Sequence, residues 1–186
     1  MASIFAALVI TILGLTKRQN SLSKIVVRLA GLSFGLHTIS LFSLMVMQVL
    51  EDYSNVYVVG VINSVMPTVL KMTAIWGGQA GSLFFWGWTL NLVLFISLHL
   101  RHQIQDGWSF LITSINLIFF GALSLFADNP FSRVWLSQAG DILEGVFSPA
   151  AGATVYGGLS GFGLNPLLRH WGMVIHPPIL YMGFAL

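Results

Sequence analysis

The chain alternates long stretches without a single charged side chain and short segments that hold nearly all of its ions. This pattern limits the fold more than any motif does. Uncharged, apolar runs cover residues 2–16, 29–50, 81–100, 108–127 and 171–186. A helix rising about 1.5 Å per residue needs roughly 20 apolar residues to cross about 30 Å of hydrocarbon, so each run reads as a membrane span, the first short and the last incomplete. Only 8% of the 186 residues are charged and 56% are apolar, against about 25% charged in a soluble domain. A water-soluble core in a chain this size cannot hide that much apolar surface. The expected fold is an all-α, polytopic transmembrane helical bundle of about five spans, with residues 1–186 forming a single integral membrane region.

The cations set an expected orientation, because Lys and Arg close to span ends stay on the cytoplasmic side. Lys17, Arg18, Lys24, Arg28 and Arg101 fall in the short turns after the first and third runs. Lys71, Arg133 and Arg169 are spread over two much longer segments. The N-terminus is therefore expected outside, with two long outer loops, residues 51–80 and 128–170, as the place to look for function. Lys17 and Arg18 follow the first apolar run instead of preceding it, the wrong polarity for a signal peptide. The formal net charge of +2 is scattered, which argues against nucleic acid as a partner and leaves the lipid bilayer. The absence of cysteine excludes disulfides, thiolate metal sites and a cysteine nucleophile, so any metal or cofactor falls to His, Met or carboxylates.

In the first outer loop, Val56–Ile62 is β-branched and aromatic, Pro67 is a breaker, and Val69–Trp76 is expected to form a short amphipathic helix on the membrane surface. The glycine-rich residues 145–163 of the second loop read as irregular, turn-rich backbone. Neither loop carries a phosphate-binding, dinucleotide-binding or zinc-protease spacing.

Five histidines are the groups able to ligate or move protons near neutral pH. His99 and His102 flank Arg101 and read as a solvated interfacial pair. His37 lies within the second run, where an ionisable residue invites a functional reading; the bland alternative is a neutral imidazole bonded to a neighbouring helix. His37 stands about 12 Å above the inner boundary and His99 only about 2 Å, so the two are at the wrong depths to clamp a haem together. His176 precedes Pro177 and Pro178, a setting that predicts extended backbone just ahead of the last span, with the imidazole at a helix N-terminus on the outer face. Trp76, Gly77 and Gly78 fit either an interfacial tryptophan beside small packing residues or an indole face beside a groove for a flat ligand.

Four blocks in order, Trp76-Gly77-Gly78-Gln79-Ala80-Gly81-Ser82-Leu83, Asn129-Pro130-Phe131-Ser132-Arg133, Gly163-Leu164-Asn165-Pro166-Leu167-Leu168 and His176-Pro177-Pro178-Ile179-Leu180-Tyr181-Met182-Gly183, resemble the successive signatures of the CcmF family. These are multi-span membrane proteins of cytochrome c maturation that form the haem lyase core. The resemblance implies that haem b reaches the outer face on a CcmE-like carrier and is joined by thioether bonds to apocytochrome c, which a CcmH-like thiol-handling chaperone presents. It implies His176 as an axial ligand of the haem iron, Trp76, Gly77 and Gly78 as part of the haem surface, and Arg133 and Arg169 as partners of the propionates.

The family's second external histidine, its Trp-rich haem segment and its intramembrane haem histidines have no counterpart here, and the sequence stops within an apolar run at Phe184-Ala185-Leu186. These residues are thus expected to work with the remaining CcmF-like portion and not to attach haem alone. The implied location is the bacterial cytoplasmic membrane, or the mitochondrial inner membrane. The competing expectation is a noncatalytic membrane subunit without its own haem site, using its Trp and Gly surfaces as protein interface. A transporter is a weaker third class, since it calls for paired charges at mid-bilayer and only His37 lies there.

Overall fold

The structure, a computed structural model, describes residues 20–100 and 107–186. The apolar run at 2–16, together with Lys17, Arg18, Arg101 and His102, lies outside the described residues. In chain order the helices are α1 (Asn20–Val49), α2 (Val56–Val61), α3 (Thr68–Thr73), α4 (Gln79–Leu100), α5 (Gly107–Ala122) and α6 (Trp171–Ala185). The strands are β1 (Arg133–Leu136), β2 (Ile142–Gly145) and β3 (Thr154–Val155). Among the described residues, Lys24–Val49 and Gln79–Leu98 are long and apolar enough to cross a membrane, and Leu111–Ala127 is a shorter apolar helix.

Helix α4 is the hub, packing against α1, α5 and α6. Apolar side chains occupy both the interior of this bundle, where Val26, Ala30, Leu94, Leu98 and Leu117 cluster, and much of its exterior. Leu32, Leu36, Ile39, Phe42 and Val46 form an exposed stripe along α1, while Ser33, Gln48, Thr89, Asn91 and Ser114 are buried. Such a distribution suits lipid as solvent, because between helices in hydrocarbon the association comes from close packing and polar contacts. Two contacts of that kind join α1 to α4: the Asn91 amide donates to Ser33 Oγ at 3.1 Å, and the Trp88 indole donates to Thr38 Oγ1 at 3.0 Å.

The two long loops, residues 51–80 and 128–170, fold together into one cap over the bundle. Val56 N–H donates to the Ser132 carbonyl, Val134 N–H to Ser54, Phe162 N–H to Val59 and Gly163 N–H to Ile62. Val56–Val61 is helical despite its β-branched composition. Asn55 caps it, its Oδ1 accepting from Val58 N–H at 3.0 Å while its Nδ2 donates to the Pro130 carbonyl at 2.9 Å. Val58 and Ile62 have no exposed surface, and each such burial contributes about 1.5–3 kcal/mol. This segment is the core of the cap. The stretch Val69–Trp76 is helical, as α3 and the 3-10 turn Ala74–Trp76, but it buries Lys71 and exposes Val69 and Met72.

The second loop departs from the all-α expectation. It holds a three-stranded antiparallel sheet of order β2-β1-β3, with Trp135 opposite Leu143 on one side and Val155 on the other. Its β-branched and aromatic residues find strand partners across the turn at Gly140, which has φ +91°, a conformation that favours glycine.

Candidate functional site

Three of the four sequence blocks converge under the cap. A cavity of about 860 Å³ is lined by Gly77, Gly78, Asn129, Ser132, Leu164 and Asn165, among others. Asp128 and Glu144 also line it, and among the described residues no lysine or arginine does. Neither His176, Arg133 nor Arg169 reaches this cavity. The carboxylates at its wall make it a poor seat for an anionic propionate.

The glycines of the first block are required by close packing. A Cβ on Gly78 would stand 2.9 Å from Tyr57 Cε2 and 3.2 Å from Val61 Cγ1. One on Gly77 would meet Leu164 Cδ1, and one on Gly81 the Ile75 carbonyl and the Tyr57 hydroxyl. That hydroxyl is the centre of the block: it accepts from Gly78 N–H at 3.1 Å and lies 3.0 Å from the Ala74 carbonyl and 2.9 Å from that of Ile75. Burial pushes the Tyr57 phenol well up from its ordinary pKa, so it stays protonated and acts as a fixed hydrogen-bonding post.

Beside this, Lys71 on α3 is buried and pairs with Glu51 at 2.6 Å. Tyr53 donates to the other carboxylate oxygen of Glu51 at 2.9 Å. These two donors hold the Glu51 carboxyl below its usual range, and burial together with the Glu51 bond raises the Tyr53 phenol. Glu51 itself has φ +57° and closes α1, with Asp52 N–H bonded to Met47 O at 2.9 Å and Glu51 N–H to Gln48 O at 3.3 Å. That six-to-one, five-to-two pairing is the Schellman ending, which usually places glycine where Glu51 stands.

His176 is not in extended backbone. Helix α6 begins at Trp171, with His170 as its cap, the His170 Nδ1 accepting from Gly172 N–H at 3.1 Å. His176 is thus the sixth helical residue, and Pro177 and Pro178 lie inside the helix. The residue before proline disfavours helix without forbidding it. The N-terminal dipole reaches only the first turn, so it does not govern this imidazole. His176 is exposed, has no hydrogen-bond partner among the described residues, and stands beside exposed Ile175 and Ile179.

Trp76 is tied to the same helix. Its Nε1 donates to the Met173 carbonyl at 2.8 Å, and its ring packs on Phe85 with centroids 5.1 Å apart. Arg169 donates through Nε to the Leu164 carbonyl at 3.0 Å, which anchors the third block to the entry of α6. Arg133 is elsewhere, at the start of β1, donating to Ser54 Oγ at 3.1 Å. The structure therefore brings Trp76 and Arg169 to α6 and leaves Arg133 across the cap. His37 faces α4, with its ring 4.5 Å from that of Phe84; the side chains of His99 and His102 lie outside the described residues. The cavity residues Asp128, Asn129, Glu144 and Asn165 were not legible as a group, because they come from loop segments whose proximity depends on the cap.

A helical bundle with an exposed apolar stripe, two helices long and apolar enough to cross a membrane and polar contacts between them defines a helical membrane protein. No family model matches the chain. It is 32% identical over 138 residues, 73% of this chain and 19% of the other, to the cytochrome c-type biogenesis protein NrfE of Haemophilus influenzae. It is 32% identical over 142 residues, 73% of this chain and 18% of the other, to the cytochrome c-type biogenesis protein CcmF of Pseudomonas aeruginosa. The CcmF of Haemophilus influenzae is 26% identical over 189 residues, which take in 98% of this chain and 26% of that one. A solved structure titled Cytochrome c Heme Lyase CcmF superposes with a TM-score of 0.69 at 18% identity, covering 99% of this chain and 26% of that chain. The chain belongs to the CcmF family and corresponds to its N-terminal portion; it spans about a quarter or less of the length of these relatives.

Proposed function

We propose that this chain handles haem b at the outer face of the bacterial cytoplasmic membrane, or of the mitochondrial inner membrane, during covalent attachment of haem to apocytochrome c. The observation that carries the reading is His176: an exposed, unpartnered imidazole flanked by Ile175 and Ile179 on α6. An imidazole with a free nitrogen beside apolar surface is the donor set an axial haem ligand needs. Haem is the substrate here, supplying the vinyl groups to which cysteine thiols add.

The chain's own part is to present the ligand. Trp76 holds the turn of α6 that precedes His176, and Arg169 holds its entry. Arg169 and Arg133 keep guanidinium N–H groups for propionate oxygens, Arg169 being the nearer to His176 in sequence. Gly77 and Gly78, packed against Leu164 and Tyr57, brace the Trp76 segment behind that face. The second ligand and the Trp-rich segment come from the remaining CcmF-like portion, the haem from a CcmE-like carrier, and the apocytochrome through a CcmH-like chaperone.

The test is His176→Ala in the complete assembly. An exposed side chain costs little packing when removed, so the variant should reach the membrane at wild-type level while covalent cytochrome c falls at least about tenfold, with partial recovery on added imidazole. Maturation at the wild-type rate, or loss of the protein itself, removes the ligand role.

A further inference from the structure

Where α3 meets the entry of α6, a groove of about 310 Å³ is lined by Pro67, Val69, Leu70, Arg169, Trp171 and Val174. Apart from Arg169 its walls are apolar, and among the described residues no carboxylate lines it. Lys71 belongs to the same helix α3, but its ammonium is buried and paired with Glu51. Arg169 is therefore the groove's cation. Its Nε is taken by the Leu164 carbonyl, which fixes the guanidinium there and leaves both terminal nitrogens, with more N–H groups than one propionate takes up.

The rim of the groove is apolar as well. Val69, Met72, Leu167 and Trp171 are exposed, Leu167 at 83% and Trp171 at 72%, and Trp171 is the first residue of the apolar helix α6. On the reading of α6 as the last membrane span, a tryptophan at its mouth stands at the level of lipid headgroups. An arginine at that depth keeps its stem among apolar groups and its charge beside the phosphates. A patch of this kind calls for a cover that is apolar along its length and anionic at one end.

From the guanidinium, the apolar walls and the place of the groove at the mouth of α6, we propose that it seats an anionic phospholipid, with the phosphate on Arg169 and the first acyl carbons against Val69, Leu70 and Val174. The planar guanidinium matches two phosphate oxygens at once. A zwitterionic headgroup brings a cation that finds no carboxylate in this groove, so a lipid of net negative charge is favoured. The volume, at the lower end of small-molecule sites, admits the glycerophosphate end and not the whole lipid. The seated lipid ties α3 to α6, the helix that carries His176.

The test uses the full chain reconstituted in phosphatidylcholine vesicles with a rising fraction of dibrominated phosphatidylglycerol, at constant ionic strength. Bromine quenching of Trp171 is read as the difference from Trp171→Phe, and dibrominated phosphatidylcholine is the control lipid. Half-maximal quenching should need about fivefold less phosphatidylglycerol than phosphatidylcholine, the preference expected of one cation near the surface. Arg169→Gln should remove that preference, and Arg169→Lys should keep part of it. Val69→Phe, which fills the groove and leaves the charge in place, should also remove it, and decides the matter if the Arg169 variants do not fold. Equal quenching by the two lipids in wild type, a preference that survives Val69→Phe, or one that added inorganic phosphate abolishes, overturns the proposal, the last by making the occupant a free anion. None of these outcomes touches the role of His176.

Discussion

The indole Nε1 of Trp76 donates to the carbonyl oxygen of Met173 across 2.8 Å, and Met173 is the residue four positions before Pro177. In an uninterrupted helix that carbonyl accepts from the N–H of residue 177, which proline lacks. The first sequence block thus fills a vacancy created by the last. The tryptophan acts as a strut for the helix that carries His176.

Trp76→Phe keeps an aromatic ring but removes the donor, and should cost about 1–2 kcal/mol of stability, the loss suffered when a half-buried carbonyl goes unpaired. In a Pro177→Ala background the restored N–H fills the Met173 carbonyl, so the same substitution should cost about 1 kcal/mol less. Denaturant unfolding of the four proteins in one detergent measures this. Strict additivity would show that the strut does not compensate the proline.

Glycine replacement should follow what each new methyl strikes. At Gly81 it meets a backbone carbonyl, that of Ile75, whereas at Gly77 it meets the far end of the Leu164 side chain. Overpacking against backbone is the harder to relieve, so Gly81→Ala should lose about 3 kcal/mol or more and Gly77→Ala nearer 1. Thermal unfolding of the two variants ranks them, and the reverse order would contradict the packing of this block.

The Glu51–Lys71 pair predicts an acid-sensitive cap. The folded pKa of Glu51 lies below its unfolded value of 4.5 because Lys71 and Tyr53 bind the charged form. A lowered folded pKa stabilises above the unfolded pKa, and that contribution fades as pH falls through the folded one. Wild type should therefore melt above Glu51→Gln at pH 7, with the gap closing as the pH is taken below 4.5. A constant gap from pH 7 to pH 3 would mean that the carboxylate charge is not what Lys71 requires.

Orientation is open to direct labelling, since the chain contains no cysteine of its own. Asp141 is exposed at the turn between β1 and β2, so Asp141→Cys should react with an impermeant maleimide added to intact cells or spheroplasts. Reaction only after the membrane is opened would place the cap on the inner side.

Length and the absence of charge make helices of the apolar runs within the described residues: α4 begins two residues before the run at 81, α5 with its π-helical turn covers the one at 108–127, and α1 starts nine residues ahead of the run at 29. Local rules failed where tertiary contacts outweighed them. Val56–Val61 is helical because Asn55 and the cap core secure it against its propensity, and the second loop forms a sheet because β1 finds two partners. Pro177 and Pro178 predict His176 just outside the helix, yet α6 runs through both prolines while Trp76, 97 residues from Met173, supplies a donor to one freed carbonyl.

The sequence by itself determined that this chain belongs with lipid, which of its stretches become long helices, and which blocks mark its family, because hydropathy and motif identity are properties of consecutive residues. The tertiary structure decided that Trp76 braces α6, that Asp128 and Glu144 share a cavity from which His176 is absent, and that the His37 nitrogen is left unpaired between three helices. Each of these depends on groups distant in the chain arriving within a few ångströms, where burial and missing partners set their energies, and no local pattern encodes that meeting.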